Sequence, residues 1–275
     1  MMPTLLFVAL WGLLGAVVGS FLNVVCDRLP ARGSLLRPPS HCPGCGRQLR
    51  AMEMIPVISY LALRGRCRAC GERIPWRVLA VEVGNAALFA LLAWKIGPVA
   101  PLLIYTLYGC LLLVIVVIDL EHQLILNVVI LPAIALALLM IPLRRILGDT
   151  PWAHTALLAT WVPISWGLTM GQVAALSQML GGAIAFAIFF LIWLVSPQGM
   201  GDGDVRLALF SGLITGFPGA LIAVLASFVL GGVTAVLLLL ARRVDRKTAI
   251  PFAPFLVITT TAALLYGDAF LRWCL

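Results

Sequence analysis

Two acids stand where a charge is expensive in this chain of 275 residues, 62% hydrophobic with 11 Asp and Glu in all. Asp119 closes the uncharged run that begins at Ile96, and Asp204 closes the stretch Gly199-Met-Gly-Asp-Gly-Asp204. A carboxylate in hydrocarbon costs roughly 2.5–3.5 kcal/mol or more unless it is paired or hydrated, so such acids are functional candidates by default. Two carboxylates that meet cannot both ionise and share one proton. The ionised one can activate water as a general base while the protonated one polarises a carbonyl. That is aspartic-protease chemistry. A proton-coupled carrier keeps acids in the same places, and a non-enzymatic membrane scaffold is the third class.

Helical spacing selects within each local pair. Residues two apart on a helix point in different directions, so Asp119 separates from Glu121, and Asp204 from Asp202. Gly201 and Gly203 predict a loop that presents Asp204 at a helix N-terminus, with Asp202 left in the loop. Glu82 is a further candidate, an acid one turn inside the apolar stretch 78–96. It reads as a group that orders the preceding loop or binds a substrate amine, or as an edge acid paired with an arginine.

Four of the seven cysteines form a second chemical constellation, His41-Cys-Pro-Gly-Cys-Gly46 and Arg66-Cys-Arg-Ala-Cys-Gly71. Cys42, Cys45, Cys67 and Cys70 stand as two C-x2-C knuckles at a spacing close to the zinc-ribbon pattern. Four thiolates close a tetrahedron around Zn²⁺ and leave no position open for substrate, which makes the metal structural. Two disulfides are the competing reading, and His41 is a less favoured substitute ligand. The loop has few aliphatic clusters, so metal binding would supply folding free energy it otherwise lacks.

The elements that must position these groups are membrane spans. Only 11% of residues are charged and the mean hydropathy is +1.08, far from a soluble domain with about a quarter charged. Apolar runs of roughly 20 residues predict an all-α polytopic membrane protein of about eight transmembrane helices with a small zinc-ribbon-like loop domain. The predicted spans are 4–26, 78–96, 101–119, 124–143, 174–196, 205–216, 219–241 and 250–268. Residues 1–26 form the first transmembrane helix, 27–77 the four-cysteine zinc-binding loop domain and 78–275 the multi-span catalytic part. The first run lacks a basic start and a clear cleavage site, so it reads as a span.

Ten of the 19 basic residues lie from Arg28 to Arg77, and four more in Arg242-Arg-Val-Asp-Arg-Lys247. Basic loops stay cytoplasmic, which places the N-terminus outside and both Asp119 and Asp204 at cytoplasmic helix ends. The net charge of +8 is thus a topology signal, the expected environment is membrane lipid, and no nucleic-acid partner is implied. Residues 152–170, with three tryptophans, Pro163 and Gly167, read as an interfacial segment, with a further span as the alternative.

On these residues the chain resembles the type IV prepilin peptidases, GxGD-type intramembrane aspartic proteases, across nearly its whole length. Gly201-Asp-Gly-Asp204 matches the GxGD motif, and Ile118-Asp-Leu-Glu-His-Gln123 matches the region of the other catalytic aspartate. Gly19-Ser-Phe-Leu-Asn-Val-Val25 with Arg28-Leu-Pro30, the four cysteines, Ile55-Pro-Val-Ile-Ser-Tyr60 and Leu63-Arg-Gly-Arg-Cys67 match in order. Leu126 falls where the family often has proline, Arg206 where it often has lysine. The resemblance implies a bifunctional enzyme of the bacterial inner membrane. It would cut prepilin or pseudopilin leaders after a glycine, then methylate the new N-terminus from S-adenosylmethionine, an activity the family ties to the cysteine loop. The methyl donor comes from the resemblance alone, since no glycine-rich nucleotide loop is present.

Overall fold

A computed structural model describes residues 4–147, 169–197, 199–243 and 250–274. Helices form over all eight predicted stretches. Thr4 starts α1 (Leu5–Arg28) by accepting the Phe7 N–H at 3.4 Å. A short 3-10 turn (Ala51–Met54) and α2 (Ile58–Ala62) fill the loop that follows. Next come α3 (Trp76–Ile96), ended by Gly97 at φ 77°, and α4 (Pro101–His122), which opens on proline and ends at Gln123 at φ 53°. The positive φ at Gln123 marks the break between α4 and α5, in a connection that has Leu126 and no proline.

The remaining helices are α5 (Asn127–Leu147), α6 (Met170–Val195), α7 (Asp202–Thr215), α8 (Gly219–Leu240) and α9 (Ala253–Cys274). Thr169 and Gln172 form a capping box at the start of α6, satisfying two amides that lipid could not. Gly216 at φ +68° ends α7. The predicted segment 152–170 lies outside the described residues but for its last two.

Two expectations are corrected. Among the described residues five helices, not eight, are long and apolar enough to cross a membrane: α1, α3, α4, α6 from Gly171, and α8. The apolar parts of α5 and α9 are shorter, Asn127–Leu143 and Ala253–Gly267. Helix α7 has 14 residues, about 21 Å at ~1.5 Å per residue, against roughly 30 Å of hydrocarbon. An uncharged run is therefore not the same thing as a spanning length. The second correction is the zinc ribbon. No β-strand occurs among the described residues. Each knuckle makes one isolated bridge, His41 with Gln48 and Arg66 with Arg73. Pro39 and Pro75, each two residues outside its bridge, lack the N–H that a further rung would need.

The chain forms two compact units, Met1–Val117 and Ile118–Leu275. In the first, α1 lies against α3 along Gly12, Gly15 and Gly19. A Cβ on Gly15 would sit 2.7 Å from the Phe89 Cβ. Asn85, fully buried, donates to the Gly15 carbonyl at 2.7 Å, and Asn23 donates to the Val78 carbonyl at 3.1 Å. Small residues with interhelical amide bonds are what holds helices together where the hydrophobic effect gives no preference.

In the second unit, α6 and α7 cross at Gly181 and Gly212, where a Cβ on Gly212 would lie 2.3 Å from the Gly181 carbonyl oxygen. Ser177 of α6 fastens the turn after α7: its hydroxyl donates to the Phe217 carbonyl at 2.8 Å, and the Phe217 N–H donates to the Ser177 carbonyl at 2.9 Å. Gly212→Ala should therefore lower the thermal midpoint of the detergent-solubilised protein, at an overpacking cost of about 1–3 kcal/mol. Gly232→Ala, whose Cβ would meet nothing within 4 Å, should leave it unchanged or raise it. Equal midpoints for the two variants would show that the crossing is looser than this.

Candidate active site

The second unit gathers four helix ends on one side: the last turn of α4 and the first turns of α5, α7 and α9. Asp119 is 6% exposed in that last turn of α4. Its Oδ2 accepts the N–H of Ala253, the first residue of α9, at 3.2 Å. One helix thus ends in a carboxylate that satisfies an orphan amide at the start of another, where the helix dipole also favours negative charge. Glu121 points to the exposed side, as spacing predicts.

Phe252, just before Ala253, is held in an aromatic triangle. Its ring centroid lies 5.6 Å from that of Phe189 and 5.4 Å from that of Phe228, which are 5.3 Å apart. This anchor fixes the amide that meets Asp119. The sequence offers Pro251-Phe-Ala-Pro-Phe255 as a signal, but a bond across 134 positions is not legible in it.

Asp204 stands in the first turn of α7, half-buried, within range of the charge on Asp119. The local expectation differs from the structure here. Asp202 is the first helical residue, Gly201 is the cap at φ −71°, and no side chain caps the helix. Two acids in the first turn complement the helix dipole and let the helix start earlier than three glycines suggest. Gly201 accordingly needs no left-handed conformation. Gly203 is required for another reason: a Cβ there would sit 2.7 Å from the Ile125 Cβ. Its lack of a side chain lets the connection from Asp119 to α5 lie against α7.

Arg206 reinforces that arrangement. Its guanidinium donates to Asp202 at 2.6 Å, an i,i+4 pair, and to the side-chain oxygen of Asn127, the first residue of α5. Asn127 and Arg206 are positioning residues that the motif reading left without a role. Asp202 is the exposed member of its pair and serves this fork.

The first unit carries the cysteines and Glu82. The ligand atoms of Cys42, Cys45, Cys67 and Cys70 all lie within 4.8 Å of one another, a group that could hold a metal ion. Cys42 and Cys70 Sγ are 3.7 Å apart and all four thiols are free. A disulfide needs about 2.05 Å, whereas tetrahedral Zn–S bonds of about 2.3 Å put sulfurs about 3.8 Å apart. The donor set fits a tetrahedral ion. Cys42 and Cys67 are buried, Cys45 and Cys70 exposed. His41 Nδ1 lies 3.2 Å from the Pro39 carbonyl and stands outside the group.

The N–H groups of Cys70 and Ala69 hold the Cys67 thiol down to about 6. The Glu72 N–H acts the same way on Cys70, but desolvation of its sulfur by the surrounding knuckles and the neighbouring sulfurs push that thiol up to about 12. Beside the knuckles, Glu53 accepts the Arg50 N–H at 2.8 Å and pairs with Arg47 at 2.6 Å, which together hold its carboxyl below the usual range. Glu82 is 5% exposed, and its Oε2 accepts the Val57 N–H at 2.7 Å.

Fold and site define a multi-pass, all-α membrane protein with Asp119 and Asp204 at one cluster of helix ends and a separate four-thiol group. Residues 13–96 match the bacterial peptidase A24 N-terminal domain, and residues 105–236 match the type IV leader peptidase family. The chain is 34% identical to a prepilin leader peptidase/N-methyltransferase of Pseudomonas putida, over 95% of this chain and 91% of that protein. It is 33% identical to that of Pseudomonas aeruginosa, over 98% and 93%, and 29% identical to that of Bacillus subtilis, over 94% of each. No solved structure gives a significant match. The chain belongs to the type IV leader peptidase family, and is a multi-pass protein of the bacterial inner membrane.

The fork at Arg206 makes a prediction. Arg206→Ala should speed amide hydrogen exchange in the first turns of both α5 and α7, by roughly tenfold for loss of charge-assisted bonds. Arg206→Lys, reaching one partner at a time, should fall between. Unchanged exchange in both segments would show that the fork does not hold them.

Proposed function

We propose that Asp119 and Asp204 carry out hydrolysis of the leader peptide bond of type IV prepilins or pseudopilins, after a glycine, at the cytoplasmic membrane surface. The observation that carries the reading is the buried Asp119 carboxylate, fixed by the Ala253 N–H at the cluster of helix ends that also holds Asp204, in a chain of the leader peptidase family. The pair shares a proton. Its ionised member takes a proton from water as the oxygen attacks the scissile carbonyl carbon, and the protonated member donates to the carbonyl oxygen. Collapse of the tetrahedral intermediate breaks the C–N bond: the carboxyl that took the proton from water passes it to the leaving nitrogen, the new N-terminal amine, and the other carboxylate takes back the proton it gave to the carbonyl oxygen. Gly203 and the Arg206 fork bring the two carboxylate-bearing segments together, and Gly201 caps the helix that carries Asp204. The carrier and scaffold readings lose their ground with family membership.

The orientation that supports this reading puts the N-terminus outside and the basic segments inside, so that Asp119 and Asp204 face the cytoplasmic side. The four cysteines would hold a structural Zn²⁺ that fixes the 27–77 loop. The second activity is methylation of the new N-terminus, by a methyl group that S-adenosylmethionine supplies when bound. We assign that step to the part of the chain that contains the cysteine loop.

Asp119→Asn and Asp204→Asn should each reduce prepilin cleavage by a hundredfold to ten-thousandfold, on the order of the loss of a general acid or base. Asp202→Asn, which removes an exposed ion pair, should stay within about threefold of wild type. A gel-shift assay in detergent micelles reads all three, and full cleavage by either of the first two variants would remove that residue from the mechanism. Elemental analysis of the purified protein should find one zinc per chain, lost in Cys67→Ser. Protein free of metal with intact folding would reject the structural-zinc assignment.

A further inference from the structure

A buried acid of α3 ties the segment between the two knuckles to that helix. Val57 has φ +63° and ψ −51°, and across it the Ile58 N–H donates to the Pro56 carbonyl at 2.6 Å. This is a γ-turn with positive φ at its centre, the rarer and more strained form. A β-branched residue in that region is an outlier that the surroundings must hold in place. What holds it is Glu82. The carboxylate is 5% exposed within α3 and its Oε2 accepts the Val57 N–H at 2.7 Å.

From Val57 a short chain of contacts runs to the second knuckle. Val57 starts α2, its carbonyl accepting the Leu61 N–H at 3.0 Å. Tyr60 of α2 donates to the Ile74 carbonyl at 3.3 Å. The Gly65 N–H donates to the Tyr60 carbonyl at 2.9 Å, and a Cβ on Gly65 would lie 2.9 Å from the Tyr60 ring. Two residues on stands Cys67. On the other side of Glu82, α3 is bolted to α1 by the Asn85 and Asn23 amides. Glu82 is thus the joint between a rigid helix pair and the cysteine loop.

We infer that Glu82 is a positioning residue for methyl transfer: it latches the Val57 γ-turn to α3 and thereby sets the cysteine loop in register at the membrane surface. The inference rests on the reading that this loop serves methyl transfer. The latch works through an accepted hydrogen bond, so a carboxamide oxygen should replace it and a methyl group should not.

The test uses full-length protein in micelles, with Glu82→Ala, Glu82→Gln, the double variant Glu82→Ala/Val57→Gly, and Cys67→Ser. Hydrogen exchange over residues 57–63 is measured, together with KM and kcat for methylation of a pre-cleaved pilin. Glu82→Ala should raise exchange and lower methylation kcat/KM by roughly tenfold or more, the scale of a lost charge-assisted bond. Glu82→Gln should recover most of both. The double variant should recover part, because glycine adopts the turn without strain. Glu82→Gln as impaired as Glu82→Ala would overturn the inference, since the charge itself would then be needed. So would normal exchange and methylation in Glu82→Ala. Should Glu82→Ala fail to fold, Glu82→Gln and the double variant still decide. Methylation intact in Cys67→Ser overturns the link to methyl transfer, and raised exchange in Glu82→Ala alongside it shows that the fault lies in the loop's assigned role. Methylation lost in Cys67→Ser but kept in Glu82→Ala sinks the latch alone.

Discussion

A carboxylate at the edge of hydrocarbon must find a donor, and in this protein that requirement organises the second unit. Asp119 finds one in the Ala253 amide, which is itself a group that lipid could not satisfy. Each solves the other's problem. The bond fixes where α9 begins relative to the end of α4, and the aromatic triangle around Phe252 keeps the amide from drifting. With Asp119 so placed, Asp204 needs only a close approach of α7 to come within range. Gly203 permits that approach and Arg206 holds it. Two acids from helices well separated in sequence are thereby brought to one cluster of helix ends, the arrangement on which the proposed water activation rests.

The first unit meets the same constraint with different parts. Its two helices approach along glycines, and buried Asn23 and Asn85 supply interhelical bonds. Glu82 extends that pair to the loop, and four sulfurs within 4.8 Å of one another gather the two knuckles at one point of it.

Much of this was legible in the sequence, for identifiable reasons. Uncharged runs located a helix in each of eight stretches, because backbone satisfaction in lipid leaves few alternatives, but several ends differ by three to six residues, as in 250–268 against Ala253–Cys274. Spacing by two separated Asp119 from Glu121. Other features depend on chain-distant partners or on length. Nothing local announces that the Ala253 amide meets Asp119, or that Val57 is held by Glu82. The run 205–216 reads as a span until its 14-residue helix is measured. The cysteine spacing specified two knuckles but not strands, since prolines stop each ladder at one bridge. At Gly201-Asp-Gly-Asp204 the glycines suggested a loop, yet acids at a helix start outweigh glycine's poor propensity there.

The central claim is that this chain removes a prepilin leader and methylates the end it creates. Intact-mass spectrometry of a purified prepilin, incubated with the wild-type protein in micelles with and without S-adenosylmethionine, reads both steps at once. The account predicts loss of the leader mass after a glycine in both samples, and the added mass of one methylene only where the methyl donor is present. An unchanged prepilin mass, or a cut away from the leader junction, would contradict it.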